Sequence, residues 1–205
     1  SYNTNVSGSF GTLNVLFNEE SSAGTAIGRT MDNGYTFDEE EQLVPLLYDL
    51  NSEDNEVWVF DLRENLQFSD PYGQVTGETY EYYINEVVQS GWAEHTAATS
   101  WTGLNVEQTG EFQFQVELQN PRFLYPESFD PLLYPVPQGL LEQYVPDEDR
   151  EGLQQDEELL ELQFTGNLGP YTLDAWNRGS GTTYTRNDDY YLAELVSNGN
   201  TSYDF

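Results

Sequence analysis

The sequence predicts a single α+β domain of 205 residues. The run Val57–Leu62 is rich in β-branched and aromatic residues, which is typical of a strand. Residues 111–118 alternate polar and apolar side chains without a break, which predicts a half-buried strand. Apolar residues recur at helical spacing between Thr76 and Val88, which predicts an amphipathic helix.

In the first half of the chain, the apolar run Leu13–Phe17 predicts a strand followed by a turn. Residues 22–34 are rich in Ala and Gly and predict a helix that ends near Gly34, because Gly readily adopts the backbone conformation found after a helix. Tyr35–Phe37 predicts a short strand. Thr76 is a favourable N-cap for the amphipathic helix, which should end at Gly91.

The second half mixes packed and polar segments. Residues 120–137 contain five prolines among aromatic and leucine residues, and we expect an ordered, packed loop because flexible linkers lack this apolar content. Gly139–Val145 predicts a short helix, and residues 147–158 predict an acidic surface excursion. The runs Tyr171–Leu173 and Thr182–Thr185 predict the two strands of a hairpin.

The charge composition is extreme: 37 acidic and 6 basic residues give a net charge of −31. All the basic residues are arginine, so the chain offers little to neutralise a nucleic-acid backbone or an anionic membrane surface. Aromatic residues make up 15% of the chain, which indicates a folded core rather than disorder. A composition without lysine and rich in Asp and Glu resembles that of proteins from extreme halophiles. Such proteins tolerate many surface carboxylates because at about 1 M salt the Debye length falls to about 3 Å and the carboxylates hardly repel one another.

The composition also excludes several kinds of chemistry. With no cysteine and one histidine, His95, the chain can form neither a thiolate nor a multi-histidine metal site. The acidic clusters Asp38–Glu41 and Asp147–Asp149 lack the spacing of a calcium loop, so a solvated acidic surface is favoured over a metal site. No nucleophile accompanies His95, for which we expect a loop role. We therefore expect no catalytic residue, metal or cofactor.

The order of several motifs resembles the N-terminal part of the family 5 extracellular solute-binding proteins, the dipeptide- and oligopeptide-binding components of ABC importers. The resemblance rests on six segments: Leu13-Asn14, Gly34–Asp38, Leu43–Leu47, the long run Val57–Asp70, Gly166–Leu173 and Arg186–Tyr191. Two positions depart from the family pattern, namely Asp70-Pro71-Tyr72-Gly73 after the signature strand and Asp188 where a proline is usual.

The resemblance implies a periplasmic-binding-protein-like (type II) N-terminal lobe with a mixed β-sheet and flanking helices. Residues 1–205 would form this one lobe in part, and the second lobe would be absent. The resemblance further implies a monomeric extracellular protein, membrane-anchored at the cell surface in its full-length form. It would capture peptides or similar small solutes for the permease subunits of an ABC transporter.

Three segments are expected to line the ligand cleft. The resemblance places the first strand edge, Ser9, Phe10 and Gly11, at the cleft, and the segment of Asn167 close to it. The loop that contains Trp92 and His95 is the third. Trp92 and Trp101 flank a polar loop and would either line the cleft or pack against that loop, whereas Trp58 and Trp176 are expected to pack in the core.

Two other classes of function remain open at this stage. A structural or adhesion module of a halophile cell surface would fit the acidity, the β content and the glycosylation sequons at Asn5 and Asn200. Such a module would be an all-β sandwich without the Thr76–Val88 helix. An acidic hydrolase would instead require two close carboxylates with raised pKa values in a cleft.

Overall fold

The computed structural model describes residues 2–4, 11–121 and 133–193. The strands are Tyr2–Thr4 (β1), Tyr35–Phe37 (β2), Leu43–Pro45 (β3), Tyr48–Asn51 (β4), Val57–Leu62 (β5), Asn105–Gly110 (β6), Gln113–Glu117 (β7), Tyr171–Asn177 (β8) and Gly181–Arg186 (β9). The α-helices are Ser21–Ile27 (α1), Gly77–Tyr82 (α2), Gln138–Leu141 (α3), Arg150–Gln155 (α4) and Glu157–Leu160 (α5). Short 3-10 helices span Thr96–Trp101 and Val145–Asp147.

An antiparallel sheet with the strand order β4-β5-β7-β6 carries most of the core. In β5 every second residue, Trp58, Phe60 and Leu62, is buried, which confirms the predicted strand. Phe60 lies opposite Phe114 of β7, and the two rings stack with centroids 4.6 Å apart. The sequence did not predict β4 or β6. In β6 only Val106 is buried, so the strand lacks the repeated alternation of buried and exposed residues from which a strand can be predicted.

The predicted amphipathic helix packs on this sheet through Tyr80, whose ring stacks on Phe114 with centroids 4.7 Å apart. It begins after Thr76, whose backbone N–H donates to Thr79 Oγ1 over 3.1 Å. After α2 the helix widens into a π-helical turn over Tyr83–Val88. The helical segment ends at Val88, three residues before the predicted Gly91, which lies in the turn that follows with a φ of +77°.

The amide of Asn85 closes the outer edge of β6. Its Nδ2 donates to the carbonyl oxygen of Val106 over 2.8 Å, and its Oδ1 accepts from the N–H of Val106 over 3.2 Å. One side chain therefore satisfies both backbone groups of an edge-strand residue, as a neighbouring strand would.

A second sheet has the order β1-β9-β8, and its hairpin β8–β9 was predicted. Helix α1 lies beside it, because the hydroxyl of Tyr184 in β9 donates to the carbonyl of Ala26 over 3.2 Å. This helix ends at Ile27 and not near Gly34 as predicted. Gly34 serves close packing instead: a Cβ there would lie 2.1 Å from the ring carbon Cζ of Tyr48.

Two further predictions need correction. Leu13–Phe17 forms a buried turn rather than a strand, in which the Phe17 N–H donates to the Asn14 carbonyl over 3.0 Å. Residues 147–158 are not only a surface excursion, because Leu153 of α4 is fully buried. In the predicted packed loop, residues 122–132 lie outside the described residues and Leu133 is buried.

Candidate functional site

One segment predicted to line the cleft, the loop of Trp92 and His95, contacts the turn that follows Gly11. The carbonyl oxygen of Leu16 accepts hydrogen bonds from the backbone N–H groups of Glu94 and His95, over 2.8 and 3.0 Å. The turn of residues 13–18 therefore lies against the loop of residues 92–95. We call this turn and this loop, together with Arg150, the binding face.

Arg150 joins the two segments of the binding face. Its Nη2 pairs with Glu94 Oε1, and its guanidinium lies 5.4 Å from the ring centroid of Phe17. Both charged side chains are about half exposed, 43% for Arg150 and 50% for Glu94. The amide of Asn14 adds a buried link to α4, because Nδ2 donates to the Leu153 carbonyl over 2.9 Å.

The predicted cleft residues of the N-terminal half are placed as follows. Ser9 and Phe10 lie outside the described residues. Gly11 is exposed, and its N–H donates to Glu20 Oε1 over 3.0 Å. Trp92 is half-buried against the hydrophobic core.

His95 and Trp101 have local roles near this face. The imidazole Nδ1 of His95 accepts from the Ala97 N–H over 3.0 Å and thereby caps the 3-10 helix that follows. Trp101 was expected either to line the cleft or to pack against the polar loop. It is fully buried, which supports packing. Trp58 is buried in the core as expected. Trp176 is half-buried against the core and carries the guanidinium of Arg178 at 4.8 Å from its ring centroid.

Asn167 lies in a different region, where it binds the chain after β5. Its Oδ1 accepts from the Gln67 N–H over 2.7 Å, and its Nδ2 donates to the Asn65 carbonyl over 2.7 Å. Its own N–H donates to the Gln67 carbonyl over 2.9 Å. The side-chain amide thus continues a backbone ladder as a peptide group would. We call this contact, with Asp32 and Tyr190–Tyr191 beside it, the junction.

A polar groove of about 430 Å³ opens at the junction. It brings together three sequence motifs, those of residues 68–70, 166–170 and 186–189. Its lining consists of Gln67, Phe68, Ser69, Asp70, Gln163, Thr165, Gly166, Asn167, Thr172, Asn187 and Asp189. Much of the lining is occupied by internal bonds, for example Asn187 Nδ2, which donates to the carbonyls of Gly166 and Gly169 over 2.8 and 2.9 Å.

Gly166 allows the close approach on which the junction depends. Its φ of +54° lies in the left-handed region, and a Cβ there would lie 2.1 Å from the Gln67 carbonyl oxygen. Its N–H donates to Ser69 Oγ over 3.1 Å. Any other residue at this position would have to push the two segments apart.

A half-buried carboxylate, that of Asp32, forms the other half of the junction. The hydroxyls of Tyr190 and Tyr191 both donate to Asp32 Oδ2, over 2.5 and 2.8 Å. Burial raises the pKa of Asp32 above its ordinary value, and the two tyrosine hydrogen bonds and the charge of Arg63 oppose this. Burial also lowers the pKa of Arg63, whose Nε donates to the Leu46 carbonyl over 2.6 Å.

Sequence reasoning did not single out Asp32 or Arg63. Arg63 and Tyr191 lie within the motifs that carried the family resemblance, but nothing in their spacing showed that they meet at Asp32. The signal that could have found them is the occurrence of charged and phenolic residues in two motifs that also share a groove.

No cluster of three or more His, Asp or Glu side chains in residues 11–121 and 133–193 could hold a metal ion. In the acidic turn after β2, Asp38 Oδ1 accepts from the N–H groups of Glu40 and Gln42, over 2.8 and 2.9 Å. Its carboxylate therefore shapes the turn. Within the described part of the chain, no helix is both long and apolar enough to cross a membrane.

Comparison with known proteins places this fold. The family model described as bacterial extracellular solute-binding proteins, family 5 Middle, matches residues 42–204. Haemophilus influenzae OppA in complex with RPPGFSPFR superimposes with a TM-score of 0.68 at 19% identity, over 93% of this chain and 39% of that one. Bacillus subtilis AppA in complex with a nonapeptide gives a TM-score of 0.68 at 17% identity, over 90% and 36%. No curated protein sequence matches.

A further neighbour is MoaA of A. tumefaciens R10 in complex with mannopinic acid, with a TM-score of 0.64 at 17% identity over 91% of this chain and 36% of that one. The chain therefore spans 36–39% of the length of these three structures. The mixed helix and sheet architecture matches part of a type II periplasmic-binding-protein fold, as expected. With the family model extending over most of its length, the chain belongs to the family 5 bacterial extracellular solute-binding proteins.

Proposed function

We propose that this chain is part of the N-terminal lobe of a two-lobe extracellular solute-binding protein. The whole protein captures peptides or similar small solutes as a monomer and delivers them to the membrane permease of an ABC importer. It is anchored at the cell surface and performs no covalent chemistry. The complexes of the neighbours with RPPGFSPFR and with a nonapeptide support a peptide ligand, whereas the complex with mannopinic acid supports the wider class of small solutes.

The binding face is the observation that carries this proposal. Its turn and loop are 78 residues apart in sequence (Leu16 to Glu94) and are held together at one carbonyl oxygen. Extended peptides bind mainly through backbone groups, with pockets for their side chains. Gly11 is exposed, although its N–H already donates to Glu20 Oε1, and the half-buried Trp92 supplies an aromatic surface of this kind.

Calorimetry on the full-length protein tests the proposal, with tri-, penta- and nonapeptides as ligands, among them RPPGFSPFR. We expect Phe10→Asp and Trp92→Ala each to weaken binding, by about tenfold for a lost aromatic contact. Phe37→Asp is the matched control, because Phe37 is 41% exposed on the β2–β3 hairpin. If Phe10→Asp and Trp92→Ala both leave the affinity within about twofold while the fold is intact, this placement of the cleft is wrong.

The lobe alone should bind more weakly than the whole protein. Ligand capture between two lobes uses contacts from both, and one lobe supplies only part of that free energy. We expect the isolated chain to lose at least about tenfold in affinity, or about 1.4 kcal/mol. Equal affinity of the chain and the full-length protein would contradict a two-lobe cleft.

The structure disfavours the two alternative functions on specific grounds. An all-β surface module would lack a helix over Thr76–Val88, whereas the chain forms α2 and its π-helical continuation there. A hydrolase of the acid–base type requires two neighbouring carboxylates. The half-buried carboxylate of Asp32 has two tyrosine hydroxyls as partners instead.

A further inference from the structure

We propose that Arg150 is a specificity-determining residue that receives a carboxylate of the ligand in exchange for Glu94. This inference rests on the proposed function, since it assigns a ligand contact within the binding face. The chemical class of ligand is a small peptide or solute that carries a free carboxylate.

Position is the first argument. Among the described arginines, Arg150 is the one that contacts both the turn and the loop of the binding face, through Phe17 and Glu94. The other described arginines contact different parts of the chain: Arg29 lies over the Tyr184 ring, Arg63 binds the Leu46 carbonyl, Arg178 lies over Trp176 and Arg186 pairs with Asp188.

Charge is the second argument. The chain carries a net charge of −31, so a ligand carboxylate is repelled at most of its surface. A cation is needed wherever such a group is to lie close to the protein, and guanidinium binds carboxylates through paired, directional hydrogen bonds. Arg150 places that group between Phe17 of the turn and Glu94 of the loop.

Exchange requires that the present partner be weakly held and the cation be accessible. Both conditions are met, because Arg150 and Glu94 are about half exposed and ion pairs this accessible to water are weak. The stacking of the guanidinium on Phe17 does not depend on Glu94. Arg150 can thus keep its orientation while it changes carboxylate partners.

The experiment compares one peptide in two forms in the full-length protein. The peptide of the calorimetric series that binds most tightly is titrated with a free C-terminus and as its C-terminal amide. We expect Arg150→Gln to weaken binding of the free acid by about tenfold or more and that of the amide by less than about twofold. Glu94→Gln should tighten binding of the free acid severalfold, because it removes the competing carboxylate.

Arg186→Gln is the control, since Arg186 forms an exposed ion pair with Asp188 outside the binding face. The affinity of the Arg186→Gln variant for both forms of the peptide should equal that of the parent protein. Equal losses for acid and amide in Arg150→Gln would show a merely structural role and overturn the inference while the proposed function stands. If Arg150→Gln changes the affinity for neither form of the peptide, the inference is also overturned while the proposed function stands. Failure of the parent to bind any peptide of the series would overturn both proposals.

Discussion

The junction and the binding face both join segments that are far apart in the sequence, yet their polar contacts meet water differently. At the junction, the half-buried Asp32 accepts two neutral hydroxyl donors, and the Asn167 amide replaces a peptide group. At the binding face, the contact of Arg150 with Glu94 is an ion pair that is about half exposed. Hydrogen bonds from neutral donors hold the segments of the junction in one arrangement. In a half-exposed ion pair, by contrast, the arginine can exchange one carboxylate for another.

The largest effect should come from Gly166→Ala at the junction. The new Cβ would lie 2.1 Å from the Gln67 carbonyl in a left-handed conformation, so the two segments must separate. We expect a loss of about 3 kcal/mol or more in the free energy of unfolding, measured by urea denaturation. Gly179→Ala is the matched control, with a φ of +85° but open space around its Cβ, and should lose only about 1 kcal/mol. Similar losses in both variants would remove the argument for close packing.

Asp32→Ala should follow in size. It leaves the hydroxyls of Tyr190 and Tyr191 without their acceptor, which costs about 1–3 kcal/mol for buried polar groups. Asp32→Asn keeps an acceptor oxygen and should be milder. Thermal unfolding at one salt concentration compares the two, and an Asn variant as unstable as the Ala variant would contradict the hydrogen-bonding role.

The pH dependence of stability, compared between the parent and Asp32→Asn, tests the environment of this carboxylate further. Folding raises the pKa of Asp32 from its ordinary value of 3.8, so its stabilising contribution is complete below that value and is lost as the pH rises through the raised pKa. The stability of the parent relative to Asp32→Asn should therefore decrease as the pH rises from about 3 towards neutrality. A relative stability that increases over this range would show that the carboxylate is stabilised in its charged form.

Asn167→Leu should have a smaller effect, because water can reach the groups that it leaves behind. Gln67 is exposed, so its N–H and the Asn65 carbonyl lose their amide partner but not their access to solvent. We expect a loss of about 1 kcal/mol in urea denaturation. Asn167→Asp retains the acceptor for Gln67 and should lose less. No change in Asn167→Leu would mean that the amide does not support the ladder.

The smallest effect should come from the ion pair of the binding face. Glu94→Gln should lower stability by less than about 1 kcal/mol in dilute buffer and by nothing measurable at molar salt, since screening removes most of the attraction. Tyr190→Phe at the junction removes a hydrogen bond and should cost the same at both salt concentrations. Circular dichroism melts of the two variants in a KCl series test this contrast, and a salt-dependent cost for Tyr190→Phe would contradict it.

The sequence predicted the parts of the fold that repeat a pattern. The alternation in β7 and the helical spacing after Thr76 each reflect a single buried face, and β5 was predicted from its β-branched and aromatic residues; the three elements are present. Leu13–Phe17 was misread as a strand because a buried turn and a buried strand share the same apolar composition. The side chains of Asn14 and Asn167 hold their segments in place through hydrogen bonds to residues 139 and 100 positions away in the sequence. No local sequence pattern records such contacts.

The candidate site was predictable to a similar degree. The loop of Trp92 and His95 was predicted to lie at the cleft from its tryptophan and polar composition, and this placement stays a prediction; the structure shows that the loop contacts Leu16. Arg150 was not singled out, because it lies in an acidic stretch that predicts only solvated surface. Its role depends on Phe17 and Glu94, which approach it only after the chain has folded.

The Asn85 amide on the edge of β6 has a consequence for how molecules of this protein behave towards one another. Many proteins protect edge strands with lysine, which this chain lacks. Its carboxylates keep molecules apart in dilute solution, but at about 1 M salt that repulsion extends only about 3 Å. Two edges could then pair and begin aggregation. Because Asn85 occupies the donor and the acceptor of Val106 at any ionic strength, this residue of β6 cannot pair with a second molecule even under the conditions in which charge no longer protects the edge.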